Sequence, residues 1–128
     1  MAQTLRKKCL TAIQKLARIS AADEYGMVQC VSCDKRLHWK EADGGHYIAK
    51  GSSSYWALEI ENVHPQCKKC NLSEGGNFEN YYPYMVEMYG EAGIEELRQL
   101  SKTTKHYSIT DLLEIEREYK EKISGLSS

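Results

Sequence analysis

The chain has 128 residues, of which 41% are hydrophobic and 27% charged, so it is neither a disordered nor a fibrous sequence. It contains no apolar run of the roughly 20 residues that a membrane span requires. Its 17 basic and 18 acidic residues are unevenly placed: residues 1–73 carry 11 basic and 7 acidic side chains, and residues 74–128 carry 6 and 11.

The first predicted element is an amphipathic helix, because apolar residues recur every three or four positions from Leu5 to Ile19, ahead of Gly26. Cys9 lies on the apolar stripe and is predicted to be a small core residue. The basic residues off the stripe are Lys7, Lys8, Lys15 and Arg18. They form either a solvated face or a DNA-contacting face. No apolar stretch follows these charges as in a secretory signal, so we expect a soluble cytoplasmic protein.

The next segment contains two Cys-x-x-Cys pairs, Cys30 with Cys33 and Cys67 with Cys70. In a reducing compartment such pairs indicate metal binding rather than disulfides. Four thiolates fit a tetrahedral structural zinc, which has no open position for water. A mixed site that uses His38 or His64 and a redox site are the alternatives. A plain zinc ribbon is the simplest interpretation of the segment.

Between the two pairs, residues 46–48 and 55–61 are predicted as the strands of a β-hairpin joined by a loop at 51–54. After the second pair, Asn80 is predicted to cap a helix with Pro83 in its first turn, ending at Gly90. A short helix over residues 94–100 follows. Ser108 to Asp111 forms a capping box before an amphipathic last helix.

Several polar residues near the cysteines resemble the motif of the HNH, or ββα-metal (His-Me finger), nucleases: Gly45-His46, Asn62, and Cys67-x2-Cys70-Asn71. The resemblance implies that His46 is the general base, that Asn62 braces it or its loop, and that Asn71 binds a catalytic Mg²⁺ or Mn²⁺. A histidine with a pKa of about 6.5 suits the deprotonation of water near neutral pH. His64 would touch the phosphate or support the zinc site.

The sequence further resembles the NinG/Rap recombination nucleases of lambdoid phages. It rests on Gly45-His46-Tyr47, on residues 62–71, on Gly76-Asn77 and on residues 105–112. The stretch after Cys70 is also similar to phage recombination endonuclease VII. Both resemblances imply cleavage of branched DNA, such as Holliday junctions or D-loops, by a phage or prophage enzyme inside a bacterial host.

One position departs from the HNH pattern, because many relatives carry Asp or His directly before the base where this chain has Gly45. The run from Asp43 to His46 instead resembles the Asp-Arg-Gly-His motif of non-specific ββα nucleases. The resemblance therefore implies a sparse magnesium site with Asn71 as the main protein ligand and Asp43 as a weaker second one.

These expectations combine into an α+β protein with an N-terminal helix over residues 1–26, a zinc-stapled HNH core over 27–78 and a helical extension over 79–128. The candidate phosphate contacts are Arg36, Lys50, Lys68 and Lys69. The alternatives are an HNH nicking enzyme without structural preference and a non-catalytic zinc module that binds DNA. The junction type, cut positions and oligomeric state stay open, although the amphipathic last helix is a candidate homodimer interface.

Overall fold

The computed structural model describes residues 2–48, 58–102 and 107–127 and has the mixed α+β architecture expected from the sequence. Its helices and strands are α1 (Ala2–Ala21), β1 (Met27–Gln29), β2 (Arg36–His38), β3 (Asp43–His46), β4 (Val63–Gln66), α2 (Phe78–Ser101) and α3 (Ile109–Ser127). The strands form two antiparallel pairs, β1 with β2 and β3 with β4. Within the described ranges no helix combines the length and apolarity needed to cross a bilayer.

The predicted N-terminal helix is confirmed as α1, which packs against both the β3–β4 hairpin and α3. Ile13 and Ala17 are buried against Val63 of β4. Gly44 of β3 lies directly under this helix, because a Cβ there would come within 2.8 Å of the Cα of Gln14. A glycine is therefore what allows the helix to approach the hairpin so closely.

The hairpin exists, but its strands overlap the predicted ranges of 46–48 and 55–61 only at His46. The observed register pairs Asp43 with Gln66 and His46 with Val63. Residues 60–62 form a 3₁₀ turn, and residues 49–57 lie outside the described ranges. The error has a physical cause: β4 is buried at all four positions and shows no alternation, and β3 contains two glycines that disfavour a strand assignment.

The two helices predicted on either side of Gly90 form one element, α2, with a kink at that residue, where φ is 71° and ψ is 165°. The helix begins at Phe78, so the prediction that Asn80 caps it is wrong. Pro83 lies inside the helix rather than in its first turn. The buried face of α2 includes Tyr81 and Met85, which pack with Tyr47 next to the hairpin.

The capping box of the last helix is confirmed, because the Ser108 hydroxyl accepts a hydrogen bond from the Asp111 backbone N–H and the Asp111 carboxylate accepts one from the Ser108 N–H, each at 3.0 Å. The apolar face of α3 packs on α1, with Leu112 buried against Cys9. Cys9 is fully buried, as predicted. The amphipathic pattern that suggested a dimer interface is thus accounted for by packing within the chain.

Candidate functional site

The four cysteines of the two Cys-x-x-Cys pairs come together as the spacing predicts. Their sulfur atoms all lie within 4.8 Å of one another, and those of Cys33 and Cys67 are 3.6 Å apart. A tetrahedral zinc with Zn–S bonds of about 2.3 Å would separate its sulfurs by about 3.8 Å. In the part of the chain that is described, no other group of three or more His, Cys, Asp or Glu side chains is placed to share a metal ion, and this group includes neither His38 nor His64.

Tight backbone turns shape both halves of the cluster. The Cys30 N–H donates to the Lys35 carbonyl at 2.8 Å, and Asp34 adopts the left-handed conformation with φ of 64°. On the other side, the Asn71 N–H donates to the Cys67 carbonyl at 3.0 Å in a π-helical turn over Lys69–Ser73. These turns aim two sulfurs from each side at a common centre.

The ionisation of the thiols fits a bound cation. Burial raises the pKa of Cys70 to about 12 and also raises the pKa of Cys33. For Cys67, burial raises the pKa, but hydrogen bonds from the Cys70 N–H and the neighbouring thiols outweigh it and bring the pKa to about 7. One thiolate can therefore exist near neutral pH, and four at this spacing need a divalent cation to offset their repulsion. The residues present fit zinc.

Asn77 occupies the N-cap position of α2, but its side chain supports the cysteine cluster and does not cap the helix. Its side-chain Nδ2 donates to the Cys70 sulfur at 3.4 Å, while its Oδ1 accepts from Asn80 at 2.9 Å. Its backbone is left-handed, and its side chain makes no capping hydrogen bond. Hydrogen bonds of this kind orient metal-binding sulfurs and tune their basicity.

Three of the predicted site residues meet at the start of β3. The Asp43 carboxylate accepts a hydrogen bond from the Asn71 side-chain amide at 3.0 Å and forms an ion pair with Lys68 at 2.8 Å. Asn71 directly follows Cys70, so the cysteine cluster fixes its backbone. The carboxylate and the Asn71 amide oxygen are the ligand types that Mg²⁺ accepts in proteins.

His46 lies at the other end of β3 and on the other face of the hairpin. Side chains alternate along a strand, so His46 shares its face with Gly44 and Val63, toward α1, and Asp43 points to the opposite face. His46 is 9% exposed. Three residues, about 10 Å of strand, separate its Cα from that of Asp43.

Asn62 fixes the backbone just after His46. Its side chain accepts from the Ile48 N–H at 2.8 Å and donates to the Ile48 carbonyl at 2.9 Å, and its carbonyl accepts from the Tyr47 N–H at 2.9 Å. Asn62 is fully buried. Of the two roles considered for it, these contacts correspond to bracing the loop that follows His46.

The ring nitrogens of His64 contact neither the cysteines nor Asp43. Its contacts differ from the two predicted roles, phosphate contact and support of the zinc site. Nδ1 is 2.9 Å from the Tyr81 hydroxyl and Nε2 is 2.8 Å from the Tyr89 hydroxyl. Tyr81 in turn donates to the Gly45 carbonyl at 2.8 Å, which assigns the proton to Nδ1 of His64. Burial lowers the pKa of His64 to about 4, so the ring is neutral at pH 7.

Gln66 is a site residue that sequence reasoning missed. Its side-chain amide donates to the Ser32 hydroxyl at 2.9 Å and to the Gly76 carbonyl at 2.7 Å, which joins both halves of the cysteine cluster to β4. A Cβ on Gly45 would lie 2.6 Å from the Gln66 Cδ and still closer to its Oε1. The glycine before His46 is thus required by Gln66, and no sequence spacing signals this contact.

The predicted phosphate contacts already have acidic partners. Arg36 pairs with Asp23 at 3.2 Å, and Lys69 is 3.9 Å from Glu74. Lys50 lies outside the described residues.

Arg18, which the sequence placed on the basic face of α1, donates to the carbonyl groups of Trp39 and Ala42, each at 3.3 Å. It therefore connects α1 to the segment before β3.

Comparison with known proteins gives a family. The sequence model of the family described as "Bacteriophage Lambda NinG protein" matches residues 3–128. The protein NinG of Salmonella phage P22 is 28% identical over 97 residues, which cover 76% of this chain and 47% of the phage P22 protein. The chain thus spans about half the length of this curated relative. No solved structure matches the chain. The chain belongs to the NinG family of lambdoid phages.

Proposed function

We propose that this protein is a metal-dependent DNA endonuclease of the HNH type that hydrolyses phosphodiester bonds in branched recombination intermediates. The observation that carries the proposal is the contact between Asp43 and Asn71, two oxygen-bearing side chains held together beside the cysteine cluster. They lie at the start of the short strand that ends in His46.

Phosphodiester hydrolysis needs an activated water, neutralisation of the charge on the phosphate, and help for the departing oxygen. A Mg²⁺ or Mn²⁺ ion bound by Asn71 and Asp43 would supply charge neutralisation. In the proposed reaction His46 takes the proton of the attacking water. Asn62 holds the backbone beside His46, so that the imidazole is oriented before the substrate arrives.

The two ends of the proposed site are about 10 Å apart along β3, and His46 is only 9% exposed. β3 pairs with β4 on one side, and no described strand pairs with it on the other, so a DNA backbone along this edge would pass both ends. Hydrolysis of one phosphate by His46 and a metal at Asp43 and Asn71 requires the distance between them to shorten when DNA binds. Lys68, which is exposed and bonded to Asp43, would add positive charge at the same edge.

The preference for branched DNA rests on the family and on the resemblance of residues 62–71 and 105–112 to the recombination nucleases of lambdoid phages. Holliday junctions and D-loops are the substrates that this resemblance implies. Affinity for either should be largely electrostatic and should fall with salt, because phosphate contacts release counterions.

A second candidate is a non-catalytic, zinc-stapled DNA-binding module. The closed arrangement of the four sulfurs favours it, because such a centre leaves no position for water and contributes to folding only. In that case the Asp43–Asn71 contact would be a surface hydrogen bond without catalytic use.

The test measures cleavage of a labelled four-way junction and a linear duplex of the same sequence by zinc-loaded protein, with and without added Mg²⁺. Wild type is compared with His46→Ala, Asn71→Ala and the matched control His38→Ala. His38 is a second, partly exposed histidine, and its Nδ1 accepts a hydrogen bond from the Lys40 N–H. We expect His46→Ala to lose at least about 100-fold in rate, the usual contribution of a general base.

Each outcome discriminates between the candidates. Loss of cleavage in His46→Ala and Asn71→Ala, with normal zinc content and activity in His38→Ala, supports the nuclease. Equal cutting of junction and duplex would keep the mechanism and indicate a nicking enzyme without structural preference. Wild type that binds DNA but never cuts it with any metal would exclude the nuclease and leave the binding module.

A further inference from the structure

Helix α1 has an unbalanced charge. It carries five basic residues and no acidic residue. Two of the five are not fully exposed. Arg18 donates hydrogen bonds to backbone carbonyls of the segment before β3, and Arg6 is half-buried. The other three are exposed: Lys7, Lys8 and Lys15.

These three lysines line a groove between α1 and α3. The α1 wall also presents the exposed hydroxyls of Thr4 and Thr11, and the α3 wall presents Lys120 and the side chain of Glu116. Glu116 is 15% exposed and is 3.1 Å from the ammonium group of Lys120. The acidic and basic residues of the α3 wall therefore neutralise each other, and the positive charge of the groove comes from α1.

The lysines of α1 are three basic residues without an ion pair that line one groove, whereas other described basic residues without an ion pair, such as Lys35, Lys40, Arg98 and Lys102, lie outside its lining. On α3, Arg117 pairs with Glu121 and Lys122 with Glu118. Arg36, Lys68 and Lys69 are also paired with acids. Among the described residues, no ion pair reaches Lys7, Lys8 or Lys15. Unpaired like charges on one helix face repel each other, so they favour an anionic ligand.

The composition of the groove favours the phosphate backbone of DNA over a protein. Lysine is depleted in protein–protein interfaces, which rely on buried aromatic and large apolar side chains. The lining of this groove contains no aromatic residue, and its only apolar residues are Ala12 and Ile123. Ammonium and hydroxyl groups are instead the groups that contact phosphates. Lys8 and Lys15 are seven residues apart, about 10.5 Å along the helix, a length over which a duplex presents about six phosphate charges.

The groove is held at a fixed offset from the proposed cleavage site. Gln14, next to Lys15 in the chain, packs on Gly44 of β3, and Arg18 bonds to the carbonyl of Ala42 just before Asp43. We propose that the α1–α3 groove is a second DNA-binding surface, which holds the phosphate backbone of a duplex arm outside the site at β3. The proposal rests on the proposed function for the identity of the substrate.

The experiment measures binding of a fluorescent duplex and a four-way junction across a salt series, with zinc-loaded protein and no added Mg²⁺. The variant is Lys7→Gln/Lys8→Gln/Lys15→Gln. The matched control, Lys102→Gln/Arg117→Gln/Lys122→Gln, removes the same charge from exposed positions outside the groove lining. We expect the slope of log affinity against log salt to fall in magnitude by about two to three in the groove variant, and by less than about one in the control.

Three results would overturn the groove assignment. An unchanged slope in the groove variant would do so, and so would an equal loss in the control, which would indicate net charge alone. Competition by polyglutamate as effective as by DNA would indicate an acidic protein partner. Failure of the nuclease proposal would give a different result. If the wild-type protein binds DNA but does not cut it, and the groove variant binds DNA less tightly, the nuclease proposal is wrong and the groove assignment is supported.

Discussion

The four-cysteine cluster and the Asp43–Asn71 pair are neighbours in the chain, but they are built in different ways. Three of the four cysteines are buried and pack with Val28 and Leu37. The pair has a hydrogen bond, an ion pair and partial exposure to solvent. Asn71 takes its position from the cluster, since it follows Cys70 and donates to the Cys67 carbonyl. Damage to the cluster should therefore disrupt both regions, whereas damage to the pair should disrupt only the proposed magnesium site.

The largest expected effect follows from breaking the cluster. Cys67→Ser should unfold the protein or leave it aggregated. Structural zinc contributes about 10–16 kcal/mol to the folding of small domains, which is as large as the whole free energy of unfolding of a typical domain. Circular dichroism and zinc content check this. Cys9→Ser is the control, because Cys9 is equally buried, donates to the Leu112 carbonyl at 3.1 Å and lies outside the cluster. A Cys67→Ser protein with an unchanged melting temperature would contradict the claim that the cysteine cluster stabilises the fold.

A smaller loss is expected from adding a carboxylate beside His46. Gly45→Asp would place a second candidate metal ligand there, but its Cβ would collide with the Gln66 side chain. Overpacking of this kind costs about 1–3 kcal/mol or more. Urea unfolding should show this loss, while the control Gly125→Ala, on the open surface of α3, should be neutral or stabilising by about 1 kcal/mol. Undiminished stability with raised metal affinity would show that the hairpin has room for another ligand.

The smallest measured difference, about 1 kcal/mol over one pH unit, tests the His64 side chain that is hydrogen-bonded to two tyrosines. Burial depresses the pKa of His64 to about 4, so the unfolded chain takes up a proton below about pH 6.5 and the folded chain does not until about pH 4. The stability that His64 contributes is complete above pH 6.5 and is lost as the pH falls toward 4. The total loss is about 3 kcal/mol.

His64→Phe should be less stable than wild type at pH 7.5, because the hydroxyls of Tyr81 and Tyr89 lose their partner. The gap in unfolding free energy should narrow by about 1 kcal/mol between pH 6.5 and pH 5.5. The difference between the two proteins cancels the pH dependence of the cysteine cluster. A gap that stays constant or widens with acid would mean that His64 is already charged in the folded state.

The features that could be predicted from the sequence are local in the chain. Two Cys-x-x-Cys pairs determine their own geometry, and α1 and the capping box at Ser108 follow from periodicity and spacing. The hairpin strands were misplaced because neither shows alternating apolar and polar residues. All four residues of β4 are buried, and β3 contains two glycines that leave room for Gln14 and Gln66.

The candidate site was harder to predict because its contacts cross elements. His64 was assigned to the phosphate or the zinc, yet its partners lie 17 and 25 residues further along, on α2. Asn77 has the sequence context of a helix cap but bonds to a cysteine sulfur. Polar residues next to a motif can be identified from the sequence, whereas the direction in which each side chain points depends on the packing of α2 and α1 against the hairpin.

Asn62 also links the hairpin to the two long helices. Its side chain holds Ile48 just after the end of β3. Leu58, four residues before Asn62, is buried against Cys9 of α1 and Leu112 of α3, and its carbonyl accepts a hydrogen bond from the Tyr119 hydroxyl. A change in the packing of α1 on α3 would therefore be transmitted through residues 58–62 to the backbone that follows His46.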